Sequence, residues 1–382
     1  MQKTKHIGSD CGNDALKLYL KEPNYEGQEK LEVMNIVSQG HDRRILGEDK
    51  GHLVNLLDVT ITQGTEPMGR YFVGGLAYKE NHGDSIEKNK RDIKAKNKDT
   101  IILMVTGLAY ALYDPQAPVK TENIAVGTLL PTEEYWNDGE DLVEYLNKEL
   151  LKKQYKVKFN AKPFKNAEIT INFVDTDVLP ESAAGHLAAL YNMDGSVQEN
   201  VKIDNEIHLG IFIGSITTEI SVYDNGKFST NGFLGIPLGT SDPLDKIIDD
   251  LKIDISRHRI DHIIRNKKEL KVNINGELHD YTAKLEECSK SRFDYFVRQL
   301  VNQINRKLVR QGINIDLITN VNIGGGGGIT TYENLVKELN IGNVKLIDDA
   351  RFANAKGALY SIVQKNIEPM DEILDEEQLL NK

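Results

Sequence analysis

Basic side chains are too few for a surface built to hold nucleic acid. Lys and Arg number 47 against 58 Asp and Glu, a formal charge of −11, whereas such surfaces carry excess cations that displace counterions from phosphates. No direct nucleic-acid contact is expected, and any DNA partner is reached through a second protein. Cysteine is almost absent. Cys11 and Cys288 are the only two, far apart and without metal-type spacing, which argues against a disulfide framework or a zinc cluster and fits a reducing cytoplasm. Long apolar runs are missing too. The most apolar stretch, Ile101 to Tyr113, falls short of the roughly 18 residues of a membrane span and reads as a buried helix opening at Asp99 or Thr100. Met1 to His6 is polar and leads straight into a strand, so no secretion signal and no membrane partner are expected.

What is present is alternation of strand and helix signals, the mark of α/β layering. A chain of 382 residues suits two domains sharing a cleft. Residues 1–180 are assigned to the first, with 353–382 packing back on it, and residues 181–352 to the second. In the first, Ile7 to Asp10 and Ala15 to Leu20 read as a hairpin and Leu31 to Val37 as a further strand. Glu122 to Leu130 and Ile169 to Val174 complete its strand pattern. In the second, Ile207 to Tyr223 restarts the β pattern, a long helix runs from about Ala283 to Arg310, and Asn275-Gly276 has the chemistry of a two-residue hairpin turn.

Two segments echo each other: Gly8-Ser9-Asp10-Cys11-Gly12-Asn13 before Leu16 to Leu20, and Gly210-Ile211-Phe212-Ile213-Gly214-Ser215 before Ile216 to Val222. A strand that turns through glycine exposes backbone N–H groups that attract phosphate oxygens. Asp10 beside such a turn would hold the water shell of Mg²⁺, and Lys17 would reach back to the phosphates. Taken alone, the first hairpin reads as a plain turn made by Gly12 and Asn13 and capped by Asp10. The repeat shifts the balance toward polyphosphate. Further on, Glu181 opens a helix after Pro180, where the helix N-terminus favours a carboxylate. The run Gly324 to Gly328, between the strand Val321 to Ile323 and a helix starting near Thr330, marks close backbone approach to a ligand.

These residues resemble the actin, Hsp70 and sugar-kinase superfamily, and within it the ParM-type bacterial actins. Asp10, Gly12 and Lys17 match the first phosphate motif, Asp-x-Gly followed by a Lys. Gly214 and Thr217 match the second, where Phe212 stands in place of the usual acid. Val178-Leu179-Pro180-Glu181-Ser182 looks like the lead-in to the interdomain helix, whose glutamate orients water against the γ-phosphate. Gly324 to Gly327 resemble the adenosine motif, and Gly235 with Leu238-Gly239-Thr240-Ser241 the loop that covers the nucleotide. Tyr71-Phe72-Val73-Gly74-Gly75, Val126 to Tyr135 and Ala350 to Gly357 resemble other ParM segments, in order along the chain.

The resemblance implies an actin-like ATPase fold, α/β, with two related domains around a nucleotide cleft. ATP is its default nucleotide, GTP an alternative, and Mg²⁺ its metal, held by Asp10. It names Glu181 and Asp10 as catalytic. It places Gly12, Asn13, Lys17, Gly214, Ser215, Thr217, Gly239, Thr240, Gly324, Gly325, Gly326 and Gly327 at the nucleotide. The implied function is self-association into filaments that segregate plasmid DNA through a DNA-binding adaptor protein, with ATP hydrolysis setting filament lifetime. Phe212 puts that hydrolysis in question, and leaves a non-polymerising actin-like adaptor as an alternative. A small-molecule kinase is the other, although no motif nominates its catalytic Asp. His258 and His262 share a helix face, but Arg259 stands where a metalloprotease carries Glu. Cys11 reads as a small neutral residue in the turn, the Lys88 to Lys98 cluster as a solvated loop, and the acidic segment around Asp371 to Glu377 as a mobile tail.

Overall fold

The computed structural model describes residues 3–43, 51–80, 93–137, 139–339 and 341–366. The acidic tail and residues 88–92 of the Lys88 to Lys98 cluster lie outside them. The chain divides into two units: the residues up to Gln198 together with those from Asn354 onward, and Glu199–Ala353. The division therefore falls after Gln198 rather than after Pro180, and the helix that Glu181 opens belongs to the first unit.

In the first unit the strands are β1 (Lys5–Cys11), β2 (Ala15–Leu20), β3 (Lys30–Met34), β4 (Val37–Gln39), β5 (Leu57–Gln63), β6 (Glu66–Val73), β7 (Val119–Leu130), β8 (Gln154–Phe159) and β9 (Glu168–Pro180). They form one sheet in the order β3-β2-β1-β7-β9-β8-β5-β6-β4. The strand expected over Leu31 to Val37 is interrupted. Asn35 leaves the ladder, its N–H donating to the carbonyl of Asp14, and β4 starts afresh beside β6.

The helices of this unit are α1 (Gly75–Glu80), α2 (Lys98–Leu112), α3 (Thr132–Asn137), α4 (Gly139–Leu151) and α5 (Glu181–Leu190). Helix α2 is the apolar stretch of the sequence. It opens one residue earlier than expected because the Asn97 side chain accepts the Asp99 N–H, satisfying one of the donors every helix start leaves orphaned. Residues 100 to 112 of α2 are all buried, and each Leu or Ile among them contributes about 1.5–3 kcal/mol by leaving water. Successive residues of β7 and β9 point to opposite faces of the sheet. Leu130 and Val178 thus join the core around α2, while their neighbours Leu129 and Leu179 pack with Ala184 of α5 and Ala358.

The second unit contains β10 (Ile207–Ile213), β11 (Thr218–Asp224), β12 (Lys227–Phe228), β13 (Leu234–Ile236), β14 (Lys271–Ile274), β15 (Glu277–Asp280), β16 (Asn320–Gly324) and β17 (Val344–Leu346), with helices α6 (Ser241–Leu251), α7 (Arg257–Arg265), α8 (Thr282–Arg310) and α9 (Gly326–Leu339). Its main sheet runs β12-β11-β10-β16-β17. The pairings repeat those of β3-β2-β1-β7-β9: an antiparallel hairpin, then two parallel strands added beside its first strand. Positive φ at Asn275 and Gly276 closes the separate β14–β15 hairpin, as their chemistry requires. The last helix, α10 (Ala353–Lys365), lies in the first unit from Asn354 on. It approaches α5 so closely that a Cβ on Gly357 would collide with the Ala184 carbonyl.

Candidate functional site

Each unit presents one hairpin turn, and the two are built to the same register. Cys11 pairs with Leu16 across the first and Ile213 with Thr218 across the second, leaving four residues in each bend. The alignment of Gly12 with Gly214 read from the sequence is therefore structural.

In the first unit, Asp10 and Lys17 are cross-strand partners. The Lys17 ammonium sits 3.6 Å from Asp10 Oδ2 and 3.4 Å from Asp14 Oδ1, with all but 7% of the Lys17 side chain buried. In the structure Lys17 thus serves these two carboxylates. Gly12 lies in the bend, where a Cβ would stand 3.0 Å from Lys17 Nζ, and Asn13 is exposed at the tip. Asn35 braces the turn by donating from Nδ2 to the Gly12 carbonyl at 2.7 Å, while its Oδ1 is buried with no partner among the described residues. A buried acceptor left open beside Asp10's strand suits the water shell of a hard cation.

Glu181 stands at the first residue of α5, and its Oε1 accepts from Lys94 Nζ at 2.5 Å. Lys94 belongs to the cluster read as a solvated loop. Its side chain is only 14% exposed, so that reading does not hold for this residue. Burial alone would lower the Lys94 pKa. The Glu181 and Asp10 carboxylates, with Cys11, outweigh it and raise it above the ordinary lysine value. Glu134 fixes the Lys94 backbone, accepting from the N–H of Lys94 at 2.8 Å and of Ala95 at 3.3 Å. Burial raises the Glu134 pKa against those hydrogen bonds.

In the second unit the expected residues converge. Gly239 passes over the β10–β11 bend so closely that a Cβ would strike the Ser215 carbonyl. Thr240 N–H donates to Gly214 O at 3.1 Å and Ser241 N–H to Ser215 O at 2.8 Å. Thr217 completes the bend, its carbonyl accepting the Gly214 N–H at 2.9 Å. Gly325 takes φ +80°, where a side chain would also meet Ile213 O. A Cβ on Gly327 would touch Thr240 Cγ2 at 2.6 Å.

Helix α9 starts at Gly326 rather than near Thr330, so the last glycines of the run are its first turn and only Gly325 bends the chain. Gly324 ends β16, and its bare Cα makes room for the Phe212 ring. Two helix starts, those of α6 and α9, thus meet at one bend, where the positive ends of the helix dipoles suit an anion. The Ser241 hydroxyl is buried there without a partner among the described residues. Arg351 places Nη1 2.8 Å from where a Gly326 Cβ would be, a cation the sequence reading missed because no local pattern ties it to the glycine run.

At the position matching Asp10 the second hairpin has Phe212, buried and opposite Glu219. Among the described residues no group of three or more His, Cys, Asp or Glu is placed to hold a metal, and no helix is long and apolar enough to cross a membrane. His258 and His262 lie on α7 as expected.

The actin-like protein Alp7A has a TM-score of 0.76 at 17% identity, covering 97% of this chain and 98% of its own. The chain has an actin-like fold. ParM of Bacillus thuringiensis with ATP gives 0.68 at 16% identity, covering 96% and 100%. The 15-stranded ParM filament of Clostridium botulinum gives 0.68 at 18% identity, covering 95% and 100%. No protein-family model matches the chain, and no curated protein does either. The antiparallel pairing of β1 with β2 recurs in that of β10 with β11.

Proposed function

We propose that this actin-like chain binds a magnesium nucleoside triphosphate, ATP by preference, and assembles into filaments that move plasmid DNA through an adaptor protein. The observation that carries the nucleotide is the second-unit bend, where Gly239, Gly325 and Gly327 close on Gly214, Ser215 and Ile213 beneath two helix starts. Ser215, Thr240, Ser241 and the α9 N-terminus would hold phosphate oxygens, and Arg351 would meet the nucleotide at Gly326. In the first unit, Gly12 and Asn13 offer backbone N–H groups, while Asp10 and the open Asn35 Oδ1 suit hydrated Mg²⁺. Glu181 orients the water for hydrolysis. Self-association is supported by fold likeness to a protein solved as a filament, and an open filament calls for heterologous, head-to-tail contacts. The acidic balance favours an adaptor over direct DNA contact.

The test is electron microscopy and calorimetry of purified protein with ATP, GTP or no nucleotide. Filaments with a triphosphate and none without it are expected. Absence of triphosphate uptake in magnesium buffer overturns the reading. Uptake without filaments, at any protein concentration, overturns the assembly half and leaves the adaptor role that Phe212 suggests.

A further inference from the structure

Lys94 lies just before α2, far in sequence from Glu181, yet two features fix it on the glutamate. Its backbone is capped by Glu134, which itself rides on α3 behind β7. Its ammonium is nearly enclosed and contacts Glu181 Oε1 at 2.5 Å. Glu181 Oε2 has no protein partner among the described residues. The carboxylate is therefore held by one oxygen and open at the other. Behind it, Ser182 Oγ and Thr132 Oγ1 lie 3.2 Å apart, joining the start of α5 to the start of α3, the helix that carries Glu134. Glu134, Lys94 and Glu181 form a relay of contacts from the first-unit sheet to one carboxylate.

We propose that Lys94 is the positioning residue for the water-orienting glutamate: it pins Oε1 of Glu181 so that Oε2 presents to the attacking water. This rests on the assignment of Glu181 in the proposed function. A bare surface ion pair would not do this, since exposed pairs are worth little and hold no fixed geometry. Here the ammonium is desolvated and its backbone is fixed, conditions under which a positioned group gains most over a freely rotating one.

Three measurements test it. First, Lys94→Met is expected to lower kcat for ATP hydrolysis at least tenfold with KM and analogue affinity changed less than threefold, and Lys94→Arg to recover most of the rate. Second, Lys94→Met in a Glu181→Gln background is expected to cost no further rate. Third, independent of turnover, pulsed reductive methylation read by mass spectrometry is expected to label Lys94 more slowly than Lys96 in the nucleotide-free protein, and at least tenfold faster once Glu181→Gln removes the anion. Unchanged kcat in Lys94→Met, a loss confined to affinity, additive losses in the double variant, or equal labelling of Lys94 with and without Glu181 each overturns the proposal. Should the protein bind triphosphate and polymerise yet hydrolyse none, this inference falls while the proposed function stands. Should it bind no triphosphate, the proposed function itself falls.

Discussion

The two hairpin bends share a backbone and differ in charge. Around the first, Asp10, Asp14 and Lys17 form a buried ionic cluster and Asn35 keeps an open acceptor. Around the second, Phe212 fills the acid's place, and the bend is closed by backbone hydrogen bonds from Thr240 and Ser241 at the start of α6. The same hairpin register thus carries different side-chain chemistry in the two units. In the proposed function, cation handling falls to the first unit and anion handling without formal charge to the bend of the second.

The largest break in that comparison is expected from Gly325→Val. Its side chain would need a positive φ and the space of Ile213 O, so the second bend should open, with nucleotide affinity falling at least a hundredfold and stability by several kcal/mol. Calorimetry with ATP and urea denaturation read both. Phe212→Asp makes the two bends alike. It empties a buried ring site and adds a carboxylate opposite Glu219, so a loss of about 3–5 kcal/mol is expected, accompanied by faster turnover in the fraction that stays folded. Slower turnover would show that the second acid has no vacant role here.

Asp10→Asn removes charge from the first bend only. Because Lys17 keeps Asp14, the cost should be about 1–3 kcal/mol, while the magnesium dependence of ATP affinity flattens. Titrations of ATP with and without Mg²⁺ measure this. Gly12→Ala should be milder, since its Cβ meets the far end of the Lys17 side chain and the Ala15 carbonyl at 3.0 Å.

The smallest effect concerns pH. Burial lowers the His208 pKa below 6.5 in the folded second unit, so the unfolded chain binds the proton more readily and stability falls as pH drops through 6.5. His208→Gln should remove part of that slope in denaturation curves collected between pH 7 and 5. His6 in the first unit, whose pKa burial also lowers, leaves a residue of the same sign. An unchanged slope in the variant would show that His208 contributes none of it.

The hairpins, the apolar helix and the glycine run were legible because each is written in local sequence: alternation, an uninterrupted apolar stretch, and residues that tolerate positive φ. Helix α9 starts earlier than expected, at Gly326: glycine is a poor helix former by propensity, and the close approach of Ile213 and Thr240 that leaves no room for a side chain at Gly327 is not written in local sequence. Lys94 was misread because a lysine among lysines is ordinarily solvated, and its partner lies on a different element.

Alternation and glycine placement determined, unaided, that this chain would fold as α/β with two matching turns, because strand faces and φ limits are properties of adjacent residues. Tertiary structure alone decided which charges meet. It set Lys17 between two aspartates, Lys94 on Glu181 and Arg351 beside Gly326, since Coulomb and hydrogen-bond energies depend on distances in space that spacing along the chain does not encode.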